Sequence, residues 1–437
     1  MTRAVVAVAV SGGPDSTALW HATARAAQGI GLQVIGLHVH HGLLPQADGW
    51  LAHLRRQARR WAAAGLPVVL DWRHLEGAPA RGDSVEAWAR RGRHAALAEM
   101  ARGHGASLLL LAHHRRDQSE TFLLQAMRGA GPAGLSAMPA SARRQGVVWA
   151  RPWLDQPPEA IAAYVRRYRL RCVQDPSNAD PRFARSRLRQ GPWAALEAAF
   201  PDAQTTLSAA ARRAQEAAQC LQELAALDLA VCSATDGALR RDAWLALSPA
   251  RRANVLRAWL AGDAALPVPD SLVQRLLAEL PQARAGSAWQ GPGGLLRLHA
   301  GALHALPAAR SAPAPPAPYV LDLRRPGAHA VPAWGGQFVV TRVAQGGIAP
   351  ALLRQAELRP RSGGERFQAA PGALPRSLKL QFQAAGVPAW QRGGPLLYAG
   401  DRLLFVPGLG LDARCLAAAG SAMRGLRWQP GPVYPAG

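Results

Sequence analysis

The stretch Ala4-Val5-Val6-Ala7-Val8-Ala9-Val10-Ser11-Gly12-Gly13-Pro14-Asp15-Ser16 decides how the chain is read. Seven apolar residues, four of them valine, have the length and β-branched content of a buried strand. Residues 15–28 then read as an Ala-rich helix. A strand that enters a helix through two glycines brings backbone N–H groups and the positive end of a helix dipole to one point, which suits a phosphate. Ser11 and Ser16 add hydroxyl donors. Asp15 would repel a phosphate unless Mg2+ lies between them, so a metal-bridging role is assigned to it. The loop is neither GxxxxGK[ST] nor GxGxxG, and the sole lysine of the chain, Lys379, is far away in sequence. Such a loop fits pyrophosphate held as a leaving group better than transfer of a terminal phosphoryl group. The plain alternative is an ordinary Gly/Ser turn; its place after the first strand of a series weighs against that.

Working outward, apolar strand-like runs recur at 32–40, 67–75, 107–112 and 147–154, with helical stretches at 49–64, 84–102, 117–128 and 158–169. Repeated strand–helix units with apolar strands predict an α/β fold, a parallel sheet with helices on both faces. Ligands then bind at the carboxyl ends of the strands. Residues 203–306 read as helices on an Ala/Leu period, for example 205–230 and 249–260. A Pro/Ala-rich stretch, 307–318, reads as an extended linker. Beyond it, short strand-like runs at 319–323, 337–343, 396–398 and 403–406 predict a small mixed α/β domain. The expected organisation is a nucleotide-binding catalytic domain at 1–200, a helical middle domain at 201–306, the linker, and a C-terminal domain at 319–437.

Charge narrows the function. The 437 residues carry 51 basic and 28 acidic side chains, a formal net charge of +23. Residues 1–200 hold 26 basic against 14 acidic, 201–306 hold 10 against 9, and 307–437 hold 15 against 5. The excess sits at the two ends, which points to an acidic partner, most simply nucleic acid. The four cysteines are scattered without a CxxC pair, so neither a zinc ribbon nor a disulfide framework is indicated, and a reducing, cytoplasmic setting is expected. The apolar start reads as a strand rather than a secretion leader, and no 18-residue apolar stretch suggests a membrane span.

A second constellation, Ala112-His113-His114-Arg115-Arg116-Asp117-Gln118-Ser119-Glu120-Thr121, follows the fourth strand and enters a helix, on the same sheet edge as the phosphate loop. Asp117 and Glu120 are three apart and share a helix face near its N-terminus. Two readings stand side by side. Asp117 as N-cap with Glu120 at the third helical position makes a capping box. Spacing alone favours that cap; two carboxylates on one face also make a seat for an ammonium group.

SGGPDS after a first strand resembles the signature of the PP-loop ATP pyrophosphatases, which activate a substrate as an adenylate. The second stretch continues through Arg128-Gly129-Ala130-Gly131 to Gly134-Leu135-Ser136-Ala137-Met138. In that form it resembles the tRNA(Ile)-lysidine synthetase family. Further matches are His38-Val39-His40-His41-Gly42-Leu43, Arg90 with Arg93 and His94, Asp175-Pro176-Ser177-Asn178 followed by Arg185 and Arg187, Arg361-Ser362-Gly363-Gly364-Glu365, Arg376-Ser377-Leu378-Lys379, and Pro388-Ala389-Trp390-Gln391-Arg392.

The resemblance implies an enzyme that binds ATP, Mg2+ and a tRNA(Ile) with a CAU anticodon. It adenylates C2 of the wobble cytidine and lets L-lysine displace AMP. It implies ATP-binding roles for Ser11, Gly12, Gly13, Pro14, Asp15, Ser16 and His38. Catalytic roles fall to Asp15, Arg185 and Arg187, and lysine-binding roles to Asp117 and Glu120. The tRNA would be gripped by Arg90, Arg93, Arg128, Arg361, Arg376, Lys379 and Arg392. A homodimer stays open as the assembly. One departure is Arg116, which stands where many members carry a second acid.

Other classes fit less well. A tRNA thiolase of the same superfamily would want a CxxC pair. A small-molecule adenylating ligase would not need basic ends. A non-catalytic RNA-binding protein would not need SGGPDS together with Asp117 and Glu120.

Overall fold

The computed structural model describes residues 4–40, 42, 46–77, 85–174, 180–262, 268–307, 319–418 and 420–430. His41, Leu43, the DPSN run at 175–178 and all but the first residue of the 307–318 linker lie outside the described residues. The chain divides into two compact units, Met1–Ala226 and Leu227–Gly437.

The first unit begins β1 (Val5–Ala9), α1 (Pro14–Ala27), β2 (Gln33–His40), α2 (Ala47–Ala63), β3 (Val68–His74), α3 (Val85–Gly103), β4 (Leu108–Leu110) and α4 (Arg115–Ala126). It continues with α5 (Pro132–Leu135), β5 (Ser141–Arg144), β6 (Val147–Ala150), α6 (Pro158–Arg167), α7 (Ala184–Gln190), α8 (Pro192–Ala199) and α9 (Ala203–Cys232), within which the division falls. The sheet order is β3-β2-β1-β4-β6-β5, parallel except for β5, which pairs antiparallel with β6. Strands are added to one side of β1 as far as β3 and then to its other side from β4, so the segments leaving the parallel neighbours β1 and β4 open onto one crevice.

Both faces of the sheet are covered, as continuous apolar strands require. On one face, Leu97, Met100 and Ala101 of α3 pack on Ala7, Leu37 and Leu109. On the other, α1, α2 and α6 bring Trp20, Leu54, Trp61 and Ile161 against Val8 and Val34. Gly36 lets Trp20 lie flat on β2: a Cβ there would stand 2.7 Å from Trp20 Cε2.

In the second unit, helices α10 (Arg241–Leu245), α11 (Pro249–Ala261) and α12 (Asp270–Glu279) pack on an antiparallel sheet of order β7-β10-β9-β8. Its strands are β7 (Leu239–Arg240), β8 (Ala288–Gly291), β9 (Gly294–His299) and β10 (Ala302–Pro307). The Ala/Leu reading of 203–306 found the helices and missed this sheet. Beyond it, the strand-rich terminal region holds a five-stranded, a three-stranded and a two-stranded sheet, with helix α13 (Leu378–Ala384) after the last of these. No described helix is long and apolar enough to cross a membrane.

Candidate active site

The segment between β1 and α1 is a tight turn. Gly12 has φ +90°, and a Cβ there would sit 2.7 Å from Val173 Cγ2. The Val173 N–H donates to the Gly12 carbonyl at 2.9 Å, which pins the turn from outside. Gly13 is the extended residue before α1, and Pro14 fills the first helical position, where no N–H is needed. Ser16 Oγ accepts from the Ser11 N–H at 3.1 Å and donates to the Gly13 carbonyl at 3.2 Å. Ser11 Oγ lies 3.0 Å from Ser16 Oγ and accepts from the Gly13 N–H at 3.3 Å.

His38 lies near the carboxyl end of the neighbouring strand β2 and is buried. Its Nδ1 lies 2.8 Å from the Val10 carbonyl, which can only accept, so Nδ1 carries the proton. Burial holds its pKa below the usual histidine value, against the Val10 bond. The neutral ring therefore keeps Nε2 as an acceptor, and His38 is among the residues that line the cleft.

On the other side of β1, the chain leaves β4 through His113 and His114 into α4. The spacing predicted that Asp117 opens this helix with Glu120 as its box partner. Instead α4 opens at Arg115, after His114 in an extended conformation. Asp117 is the third helical residue, and its Oδ2 accepts from the His114 N–H at 3.1 Å. The capping box is therefore made by His114 and Asp117, and Glu120 takes no part in it.

Glu120 is wholly buried and surrounded by guanidinium groups. Arg189 Nε and Nη2 donate to its two oxygens at 2.7 and 2.8 Å, and the same Nη2 donates to Asp117 Oδ1 at 2.9 Å. Arg116 Nε lies 3.3 Å from Glu120, with its guanidinium over the Trp193 ring. Arg185 Nε lies 3.6 Å from Glu120, and its Nη2 donates to Thr121 Oγ1 at 2.7 Å. Burial pushes the Asp117 carboxyl up, but His114, His113, the His114 N–H and Arg185 together hold it below the ordinary value. Asp15 goes the other way: burial, aided by the charge of Asp117, raises its pKa against His114.

His114 joins the two motifs. Its Nε2 stands 3.9 Å from Asp15 Oδ2 and 3.5 Å from Asp117 Oδ2. The loop, His38, His114, Asp117, Arg185 and Arg189 line one cleft of about 740 Å³, a volume in the range of small-ligand sites. Among the described residues, no three His, Cys, Asp or Glu side chains converge on a metal position. Asp15 stands as a single acidic oxygen donor beside the Gly12–Gly13 turn, a donor set that suits Mg2+ carried largely by the oxygens of a bound phosphate and water.

A tRNA(Ile)-lysidine synthase of Ralstonia nicotianae is 42% identical to this chain over 437 residues, covering 97% of the chain and 92% of the relative. The chain belongs to the tRNA(Ile)-lysidine synthase family. Another relative of that name, from Burkholderia mallei, is 39% identical and covers 97% of the chain and 93% of its own length. Residues 1–193 match the PP-loop domain family, 239–304 the TilS substrate binding domain, and 356–428 the TilS substrate C-terminal domain. The PP-loop domain is an ATP-using one. Among solved structures, the U34-tRNA thiolase NcsA of Methanococcus maripaludis aligns with 49% of this chain and 72% of its own, at 14% identity and a TM-score of 0.42.

Within this lysidine synthase family member, the expected site residues separate into three groups. Ser11, Gly13, Pro14, Asp15, Ser16, His38, Arg90, Arg93, Asp117 and Arg185 line the cleft. Glu120 lies just behind the wall, and Arg187 lies off it, exposed, with Nη1 on the carbonyls of Pro181 and Arg182 at 3.0 and 2.9 Å. Arg128 is exposed beyond the end of α4. In the second unit, Arg361, Arg376 and Lys379 are exposed, whereas Arg392 is half-buried and donates twice to the Val387 carbonyl. Arg361 and Arg392 both stack on the Phe382 ring.

The sequence reading took Arg189 only as part of an arginine-rich run, 182–189, and singled out Arg185 and Arg187 from it. The signal was present: Arg185 and Arg189 are four apart and share a face of α7, from which Arg187 points away.

Proposed function

We propose that this chain joins L-lysine to C2 of the wobble cytidine of a CAU-anticodon tRNA(Ile), converting ATP to AMP and pyrophosphate by way of an adenylated tRNA. The observation that supports this reading is the position of His114, 3.9 Å from Asp15 beside the glycine turn and 3.5 Å from Asp117 at the start of α4.

In this reading, the Gly12–Gly13 backbone, Ser11 and Ser16 hold the phosphates, and Pro14 starts α1 so that its N-terminus faces them. His38 offers Nε2 to an exocyclic amine such as that of adenine. Asp15 holds Mg2+, which supplies neutralisation of phosphate charge when bound. Arg185 faces the cleft where negative charge develops on the transferred nucleotide. Asp117 gives the lysine substrate an anionic contact in the cleft, and Glu120, buried behind it and held by the chain's own Arg189, acts through that fork rather than by touching the substrate. Arg90 and Arg93 contact the tRNA near the cytidine. Arg128, Arg361, Arg376 and Lys379 offer exposed charge to its backbone. Arg392 holds the Val387 turn on which that terminal surface is built, and Arg187 braces the start of α7. Much of the rate then comes from positioning and exclusion of water. A cytoplasmic setting fits a tRNA substrate.

Pyrophosphate release measured with ATP, the CAU tRNA and lysine tests this directly. Release is expected only with tRNA present, and AMP discharge only with lysine. ATP turnover without RNA, or a product unaffected by lysine, refutes it.

A further inference from the structure

Arg151 follows β6 directly and is only 8% exposed, yet it lines the cleft. Its Nη1 donates to the Pro139 carbonyl at 2.8 Å, and its Nε has no partner. The charges that act on it are those of Arg144 and Arg90, both cationic; burial and these two push its pKa down to about 10. His94 and His113, also near, are held neutral by burial and by neighbouring arginines, Arg90 and Arg151 among them, and a histidine offers no negative charge in either protonation state. A buried guanidinium without an anion is costly, and its flat fork matches phosphate oxygens.

Sheet order says which phosphate. β1, β4 and β6 are neighbours, and strands lie about 4.8 Å apart, so Arg151 starts about 10 Å from the phosphate loop. His38 on β2 lies on the opposite side of that loop. A nucleotide laid from the loop toward His38 leaves the β4–β6 side of the crevice to the second substrate.

We infer that Arg151 is a buried anchor for a phosphodiester of the tRNA next to the reacting cytidine. This rests on the function proposed above. The anchor differs from the exposed arginines in being set before the RNA arrives, so it fixes register as well as adding affinity.

The test uses the full chain and full-length CAU tRNA assembled by ligation, with either normal phosphates or neutral methylphosphonates on both sides of the wobble cytidine. Wild type is expected to bind the neutralised tRNA about tenfold more weakly. Arg151→Met is expected to bind normal tRNA about tenfold more weakly and to lose nothing further with the neutralised one. Its ATP affinity, by equilibrium dialysis, is expected within about twofold of wild type. Arg151→Lys, which keeps the charge and replaces Arg151→Met if that variant does not fold, is expected to lose less than tenfold. Undiminished RNA binding by the variants overturns the inference. So do additive losses, or weakened ATP binding with normal RNA binding, which would give the phosphate to the nucleotide. Wild type that binds no CAU tRNA overturns the proposed function as well; failure of the variant comparison alone overturns only the anchor.

Discussion

Arg189 grips Glu120 through two parallel contacts of 2.7 and 2.8 Å, although the two residues are 69 positions apart in the chain. Glu120 is fully buried, so its charge depends on this fork, with Arg116 and Arg185 as more distant support. Burial pushes the Arg189 pKa down, but Glu120 and Asp117 outweigh it and hold it up. Arg189→Met is therefore expected to lower unfolding free energy by about 1.5–3 kcal/mol in urea titrations, the scale of a hydrogen bond to a charged group. Adding Glu120→Met removes the stranded carboxylate and is expected to recover at least half of that loss, because an apolar pair can replace a buried ion pair. A double variant as unstable as the sum of its parts would show that the fork is not what holds Glu120.

Asp117 does two things that can be measured apart. It caps α4 through the His114 N–H, and it faces the cleft with its charge stabilised by His114, His113 and Arg185. Asp117→Ala is expected to cost about 1 kcal/mol of stability as a lost cap. Adenylated tRNA should still form, while its discharge by lysine slows by about two orders of magnitude, as expected for a lost charged contact. A pulse of labelled ATP followed by a lysine chase resolves the two steps. Unchanged discharge would remove Asp117 from the lysine seat.

The legible parts of this chain were those governed by short-range pattern. The valine run, the two glycines and Pro14 specify strand, turn and helix within sixteen residues, and the structure forms them at Val5–Ala9, Gly12–Gly13 and Pro14–Ala27. β5 was not legible as a strand because Ser141-Ala142-Arg143-Arg144 is largely exposed and carries no apolar alternation. Its only local mark is the pair Gln145-Gly146, both at positive φ, the two-residue turn of a hairpin. β9 was legible in principle: Gly294, Leu296 and Leu298 are buried in strict alternation, a period-2 signal masked by Leu-rich composition. The Arg189–Glu120 fork needed the tertiary fold, since nothing in sequence sets α7 against α4.

Asp15 separates catalysis from RNA binding. It lies in the first turn of α1 near His114 and Asp117 and makes no ion pair with an arginine among the described residues. Asp15→Ala is expected to abolish pyrophosphate release while CAU tRNA affinity stays within about twofold. Filter binding and a pyrophosphate assay on the same preparation check both halves. Loss of tRNA binding in step with activity would instead make Asp15 a structural support of the RNA face.

His21 gives the fold a dependence on pH that is independent of the chemistry. Its Nδ1 lies 2.9 Å from the Tyr164 hydroxyl, and its ring packs among Trp61, Tyr164 and Tyr168. Burial, with the charges of Arg25 and Arg60, lowers its pKa to about 4 from 6.5. The unfolded chain therefore takes up a proton that the folded chain refuses between these two values. Stability from this group is full above pH 6.5 and is lost as pH falls toward 4, by about 1–3 kcal/mol after allowance for partial solvent access. His94 and His113, each also held at about 4, act in the same direction. His21→Phe keeps an aromatic ring in the pocket and removes the titration. Urea titrations at pH 7 and pH 4.5 are expected to show a smaller drop for His21→Phe than for wild type, by that amount. Equal drops in the two proteins would mean that His21 is already charged, or already exposed, in the folded chain.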